Sequence, residues 1–414
     1  MGKIKSNLSR YIPILIVAFG GAVIYGLPYF RYDYYDAYVK VYNLTDTQMG
    51  VFGSILGVFG MISYLFGGVV ADRFSTRTIL TVSLVGTGLG GFIHLLPLNF
   101  TELVCLYAFW GVSSLFAFWP CCVKAVRMLS DSENQGKAFG FFEGGRGVAA
   151  ALMAMGAIVA YKFGIGSIDD QVKGMKFAII YYSVLTILMG VFTFFVVKNE
   201  KMEESEKVSF KGIGELLRMP AVWIVGFITF FTYMFTQLFF YFTPYLTDVL
   251  GASVTIGAVL AASKRWFSLF GNVGGGIATD KVGTTRMIFI SFIAIAIGVG
   301  VMIVLPGSKS IVIPFIILYL LVYIFYNVNL AITWALMDEG GIPERLSGSA
   351  AGLISTIGYL PEIFCSLMAG KILDAYSGET GYKIIFAIII AAMLLGAALT
   401  IVWKKVVTNK IKEN

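Results

Sequence analysis

Charge is scarce in this chain. Acidic and basic residues together make up 13% of its 414 positions, against about 25% in an ordinary soluble domain. With 58% hydrophobic residues and a mean hydropathy of +0.82, too little polar side chain remains to cover a water-facing surface, so the bulk solvent is lipid. Histidine occurs once and cysteine four times. Cys105, Cys121, Cys122 and Cys365 lie inside apolar runs with no paired loop spacing. They read as small hydrophobes, and neither a disulfide framework nor a metal site is indicated. A nucleotide-binding P-loop is missing, as is any nucleophile–base constellation, so neither ATP-driven work nor an enzyme is expected, and no cofactor. The net charge of +7 sits in short loops between apolar runs. That pattern belongs to one face of a membrane protein and excludes nucleic acid as a partner.

Long apolar runs are what the chain does have. A membrane-crossing helix needs about 20 apolar residues, and about twelve windows qualify. They cover about 11–36, 47–71, 77–98, 101–127, 137–163 and 174–197, then about 220–248, 253–279, 285–306, 309–337, 348–373 and 381–404. The first helix is expected to continue through the Tyr-rich residues 31–42 and to be retained, since it lacks a small-residue cleavage site. Lys3, Lys5, Arg10, Arg73, Arg77, Lys124, Arg127, Lys137, Lys281, Arg286, Arg345 and the C-terminal lysines fall on one side. Asp36, Asp169, Asp170 and Asp374 fall on the other. The positive-inside rule then puts both termini in the cytoplasm. The longest polar run, 198–218, is a solvated linker, which gives an N-terminal six-helix bundle over 1–197, a linker over 198–219 and a C-terminal bundle over 220–414. A monomer surrounded by lipid is expected.

Two short stretches repeat once per half: Gly68-Val69-Val70-Ala71-Asp72-Arg73 and Gly276-Ile277-Ala278-Thr279-Asp280-Lys281. An Arg closes each, Arg77 and Arg286, and the offset between Asp72 and Asp280 is close to half the chain. Gly lets two helices meet at a rim, and the Asp caps a helix end or pairs with an Arg. Such an elbow changes with conformation and does not ligate substrate. It resembles the signature of the major facilitator superfamily over the whole chain. The first copy has Ser75 where Gly is usual; the second keeps Gly283. The resemblance implies an all-α membrane protein of twelve helices in two pseudo-symmetric bundles that rock about a midplane site.

Within the superfamily, Trp119-Pro120-Cys121-Cys122 looks like the Trp-Pro-Pro-Cys stretch of organophosphate:phosphate antiporters. Tyr29-Phe30-Arg31 resembles the region where those proteins and the related organic-anion symporters place a cavity Arg. Ser349-Ala350-Ala351-Gly352 with Gly358-Tyr359 resembles that branch too. Where the antiporters carry a second cavity Arg on the seventh helix, this chain has Tyr233-Met234-Phe235-Thr236-Gln237.

Ionisable residues inside spans are costly and persist where they are paired or face a wet cavity. Here they are Arg31, Glu143, Arg146, Lys264, Arg265 and Glu362, on windows 1, 5, 8 and 11. Four cations against two carboxylates favour an anionic substrate: a sugar acid, a carboxylate or a sugar phosphate. Arg31 either contacts substrate or snorkels to headgroups. Glu143 and Arg146, three apart, either neutralise each other or serve substrate and coupling. Arg265 is preferred over Lys264 as the cavity cation. Glu362 carries a proton or pairs with a cation of window 8. Tyr35, Gln237 and Tyr241 are further substrate-binding candidates. His94 reads as a packing histidine, with a proton switch as its alternative. Asn272, Asn327, Asn329 and Trp334 read as interhelical partners. The competing readings are a carrier of neutral sugars or drug-like solutes, and a membrane sensor of transporter form.

Overall fold

The computed structural model describes residues 2–67, 70, 74–129, 135–165, 170–197, 213–343 and 346–413. The regular secondary structure of the described residues is helical, without strands. Twelve spans are designated α1 (Gly2–Val23), α2 (Asp46–Ile62), α3 (Thr76–Ile93), α4 (Phe100–Val126), α5 (Gln135–Ile165) and α6 (Gln171–Val196), then α7 (Pro220–Val249), α8 (Val254–Val282), α9 (Thr284–Val304), α10 (Lys309–Ala335), α11 (Ala350–Ala375) and α12 (Glu379–Glu413). Among the described residues, nine are long and apolar enough to cross a membrane on those grounds alone, and the apolar stretches Ile12–Val23 and Asp46–Ile62 are shorter. Large side chains such as Phe163, Phe195 and Val304 point outward, as a lipid-facing surface requires.

Helix ends follow local chemistry. Asn99 and Glu102 exchange side-chain-to-backbone bonds in a capping box that opens α4. Asp170 and Ser253 cap α6 and α8, and Pro220 takes the first turn of α7. Gly283, at φ +88°, ends α8 in a conformation that disfavours other residues. Ser75 has an ordinary extended φ of −60°, which explains why the first elbow needs no glycine there.

The expected continuous first helix is broken. Residues 24–29 form turns, and short helices Phe30–Asp33 and Tyr35–Tyr42 follow. Pro28 supplies no N–H and restrains the residue before it. A side chain at Gly26 would meet the ring of Tyr182. In α4 a π turn, Gly111–Phe116, precedes Pro120, whose missing N–H leaves a carbonyl one turn earlier without its helical donor. The Ser63 hydroxyl donates to the Leu115 carbonyl there at 2.7 Å.

The chain forms two compact units: Met1–Leu44 with Val58–Lys207, and Thr45–Gly57 with Val208–Asn414. Within the first unit α1 packs on α5 and α6, and α6 packs on α3. Within the second, α7 packs on α11 and α12, and α12 packs on α9. The same pairings six helices later are the structural form of the duplicated elbow. The first part of α2 belongs with the second unit, where close helix contact depends on glycine. A Cβ at Gly50 or Gly57 would run into the α11 backbone at Ser366 or Glu362.

Candidate functional site

In the first unit, the short helix Phe30–Asp33 turns Arg31 fully inside. Its Nη1 donates to the Pro28 carbonyl at 2.7 Å, so the Pro-containing turn aims the side chain. The guanidinium carbon lies 4.1 Å from the Tyr32 ring centre and 5.1 Å from that of Tyr107. Nε and Nη2 have no hydrogen-bond partner among the described residues, and no carboxylate forms an ion pair with this guanidinium there. The cation is held by π faces, the Pro28 carbonyl and a side-chain hydrogen bond with Tyr107. Tyr35, on the next short helix, is buried as well.

A second cation lies on α5. Arg146 Nη1 bonds both carboxylate oxygens of Glu143, at 2.8 and 3.0 Å, and its Nε reaches the Gly21 carbonyl at 3.4 Å. Its guanidinium sits 4.5 Å from the Trp119 ring centre. Trp119 belongs to the Trp-Pro-Cys-Cys turn, so this turn supplies the platform under Arg146. Lys124, expected in a loop, is instead a buried residue of α4.

In the second unit, Gln237 and Tyr241 are buried on α7 and Glu362 is buried on α11. The Tyr241 hydroxyl donates to the Ser366 carbonyl at 3.0 Å, one turn beyond Glu362. That hydroxyl ties α7 to α11. Lys264 Nζ lies 5.0 Å from the Phe240 ring centre. The Asn327 amide donates to the Tyr323 carbonyl at 2.8 Å, within its own helix. Asn329 is fully buried, with neither amide atom bonded among the described residues.

Of the elbow residues, Arg77 donates through Nε to the Val197 carbonyl at 2.6 Å, tying the start of α3 to the end of α6. Arg286 is exposed. Gly68, Asp72 and Arg73, and the side-chain positions of Arg265, Asn272, Gly276 and Asp280, lie outside the described residues.

Sequence reasoning missed one constellation. Tyr38 Oη lies 2.7 Å from His94 Nε2, the Tyr107 hydroxyl donates to Tyr38 at 3.4 Å, and the Tyr42 hydroxyl donates to the His94 carbonyl at 3.0 Å. These residues lie far apart in sequence, and only the abundance of tyrosine in 25–42 hinted at them.

Helical spans with repeated pairings, with Lys124 buried within one span and Arg31 buried on the short helix between two, define a multi-pass membrane transporter. The pattern of the Major Facilitator Superfamily matches residues 11–364, and the chain belongs to that superfamily. The inner membrane protein YqcE of Escherichia coli (strain K12) is 28% identical over 94% of this chain and 93% of its own length. A putative glycerol-3-phosphate transporter 5 of Arabidopsis thaliana is 23% identical over 79% of this chain and 74% of its own. The crystal structure of the nucleoside transporter NupG superposes with a TM-score of 0.72, covering 96% of this chain and 99% of that one, at 13% identity. At that identity the likeness speaks for the fold alone. The protein is thus an integral multi-pass transporter of the bacterial inner membrane that handles a small molecule, and not an enzyme.

Proposed function

We propose that the protein carries a small organic anion by alternating access, as a secondary transporter coupled to protons or to exchange. One observation carries this reading: Arg31 is fully buried, with two guanidinium nitrogens unbonded and no carboxylate paired to it among the described residues. A buried cation is costly without a counter-charge, and two tyrosine faces offset only part of that cost. A substrate carboxylate or phosphate completes the set, and the planar guanidinium suits it. The similarity to the Arabidopsis putative glycerol-3-phosphate transporter supports an anion. Arg265 and Lys264 are proposed as further substrate cations and Gln237 as a neutral contact. Glu362 is proposed as proton carrier or as the partner of an α8 cation.

The Glu143–Arg146 pair neutralises itself and leaves three cations against one carboxylate, the same positive excess; the neutral-solute alternative needs the remaining cations neutralised as well. Proteoliposome counterflow decides between them. A panel of sugar acids, sugar phosphates, carboxylates and inorganic anions is set against neutral sugars and nucleosides. Flux of an anion, lost in Arg31→Ala, is expected. Flux of neutral solutes alone, unaffected by that change, overturns the anion reading. Binding without flux identifies a sensor.

A further inference from the structure

The sole histidine of the chain stands two hydroxyls away from the residue that carries the proposed function. His94 follows the last turn of α3 and is fully buried. Four groups from three elements face it. Tyr38 lies at 2.7 Å from Nε2, and the Tyr42 ring stacks on it with centres 5.4 Å apart, both from Tyr35–Tyr42. Phe30 meets it edge-on from Phe30–Asp33 at 6.5 Å, and Trp110 of α4 does so at 5.3 Å. The titratable groups among these are the two tyrosines. No carboxylate or cation bonds the imidazole among the described residues, and Nδ1 has no partner there. Tyr38 in turn receives the Tyr107 hydroxyl at 3.4 Å, and the Tyr107 ring lies beside the Arg31 guanidinium.

We propose that His94 is a proton-responsive positioning residue for Arg31, linked to it through Tyr38 and Tyr107, so that neutralising Arg31 with an anion favours a proton on the imidazole. This rests on the anion reading of Arg31. With a neutral imidazole, Tyr107 donates to Tyr38 and Tyr38 donates to Nε2. A proton arriving at the Tyr107 oxygen sends its hydroxyl hydrogen to Tyr38, and Tyr38 passes its own to Nε2. One proton enters, one N–H forms, and each phenol keeps one hydrogen. The chain of donors is then reversed, and the Tyr107 O–H is released from Tyr38 to serve an anion at Arg31. The Tyr107–Tyr38 link is longer than the usual O–H···O range, so it is the link that closes when the chain conducts. Positive charges at the two ends of this hydroxyl chain oppose each other. An anion at Arg31 relieves that opposition, and linkage requires the proton to strengthen anion binding in return.

Because the chain holds one histidine, histidine labelled with nitrogen-15 gives one imidazole to observe, provided the affinity tag contains none. The protein in lipid nanodiscs is titrated without any ligand. Arg31→Gln removes the charge as an anion would. Its imidazole midpoint is expected to rise by about one pH unit or more, about a tenfold change in protonation equilibrium. Arg31→Lys keeps the charge and the wild-type midpoint. Tyr38→Phe deletes one oxygen and is expected to move the Nε2 resonance away from its hydrogen-bonded position. An unchanged midpoint in Arg31→Gln overturns the coupling whatever the substrate panel gives. An Nε2 resonance indifferent to Tyr38→Phe overturns the chain even where the Arg31 variants fail to fold. A coupled imidazole in a protein that moves no anion overturns the anion reading instead, so the two failures are distinguishable.

Discussion

The Asp374 carboxylate at the end of α11 accepts the backbone N–H groups of Asp46 and Thr47, at 2.9 and 2.8 Å. Those amides open α2, where the first turn has no intrahelical acceptors and the helix dipole is positive. One carboxylate therefore serves as a cap borrowed from a distant part of the sequence. Below it Gly370, Gly50 and Gly57 keep the two helices close: a Cβ at Gly370 would strike the Asp46 carbonyl. Asp374→Ala is expected to loosen the contact between α2 and α11 by about 0.5 kcal/mol, at the low end for a cap because the carboxylate is exposed. Hydrogen exchange at the Asp46 and Thr47 amides reports it directly. Protection equal to wild type would show that the bonds contribute nothing in solution.

The orientation proposed from the loop cations is open to chemical labelling. With both termini and the linker cytoplasmic, a single-cysteine reporter at Glu204 is shielded from a membrane-impermeant maleimide outside intact cells, and one at Asp170 is reached. The native cysteines are replaced first; Cys105 is exposed and the other three are buried. Labelling at Glu204 and protection at Asp170 would invert the topology.

Much of this fold is legible because run length and hydropathy are local properties. The sixth window, about 174–197, and the helix Gln171–Val196 nearly coincide. The interruption of regular helices and the pairing of distant residues are not local in that sense. Residues 31–42 keep a helical pattern, which masks the turns at 24–29 that contain Pro28. A π turn such as Gly111–Phe116 adds a residue without changing composition, and periodicity does not register it. Lys124 reads as a loop residue because a sequence shows charge but not which helix face is buried. Arg31 is legible as a candidate, since a cation in an apolar run is conspicuous. Its tyrosine surroundings and the chain to His94 are not, because Tyr38 and His94 are 56 positions apart and nothing in either neighbourhood indicates the other.

The elbow is proposed as a conformational part. Arg77 spends its Nε–H on the Val197 carbonyl at the end of α6, with its guanidinium 5.1 Å from the Phe194 ring centre. That use is structural. Asp72→Asn is therefore expected to slow transport severalfold while leaving the equilibrium affinity for the transported anion within about twofold, since each factor of ten in affinity needs about 1.4 kcal/mol of lost contact. Counterflow rate and equilibrium binding are measured on the same preparation. A tenfold loss of affinity at an unchanged translocation rate would place the elbow in the binding site.

Arg31 and Glu362 separate binding from coupling. Losing a charge-assisted pair in a dry site costs about 1.5–3 kcal/mol, so Arg31→Ala is expected to weaken anion binding by about tenfold to more than a hundredfold in correctly inserted protein. Arg31→Lys keeps the charge but loses the planar fork, and recovers only part of that affinity. Glu362 is buried at the first turn of the helical stretch that begins at Pro361. If its carboxyl carries the coupled proton, Glu362→Gln keeps binding and counterflow while accumulation driven by a pH gradient disappears, because the neutral side chain already resembles the protonated state. If Glu362 instead balances a cation of α8, the same substitution leaves pH-driven accumulation in place and raises anion affinity, since a neighbouring cation is released. Accumulation at several imposed pH gradients, alongside a binding isotherm, tells these apart. Wild-type accumulation with wild-type affinity in Glu362→Gln would remove this residue from both roles.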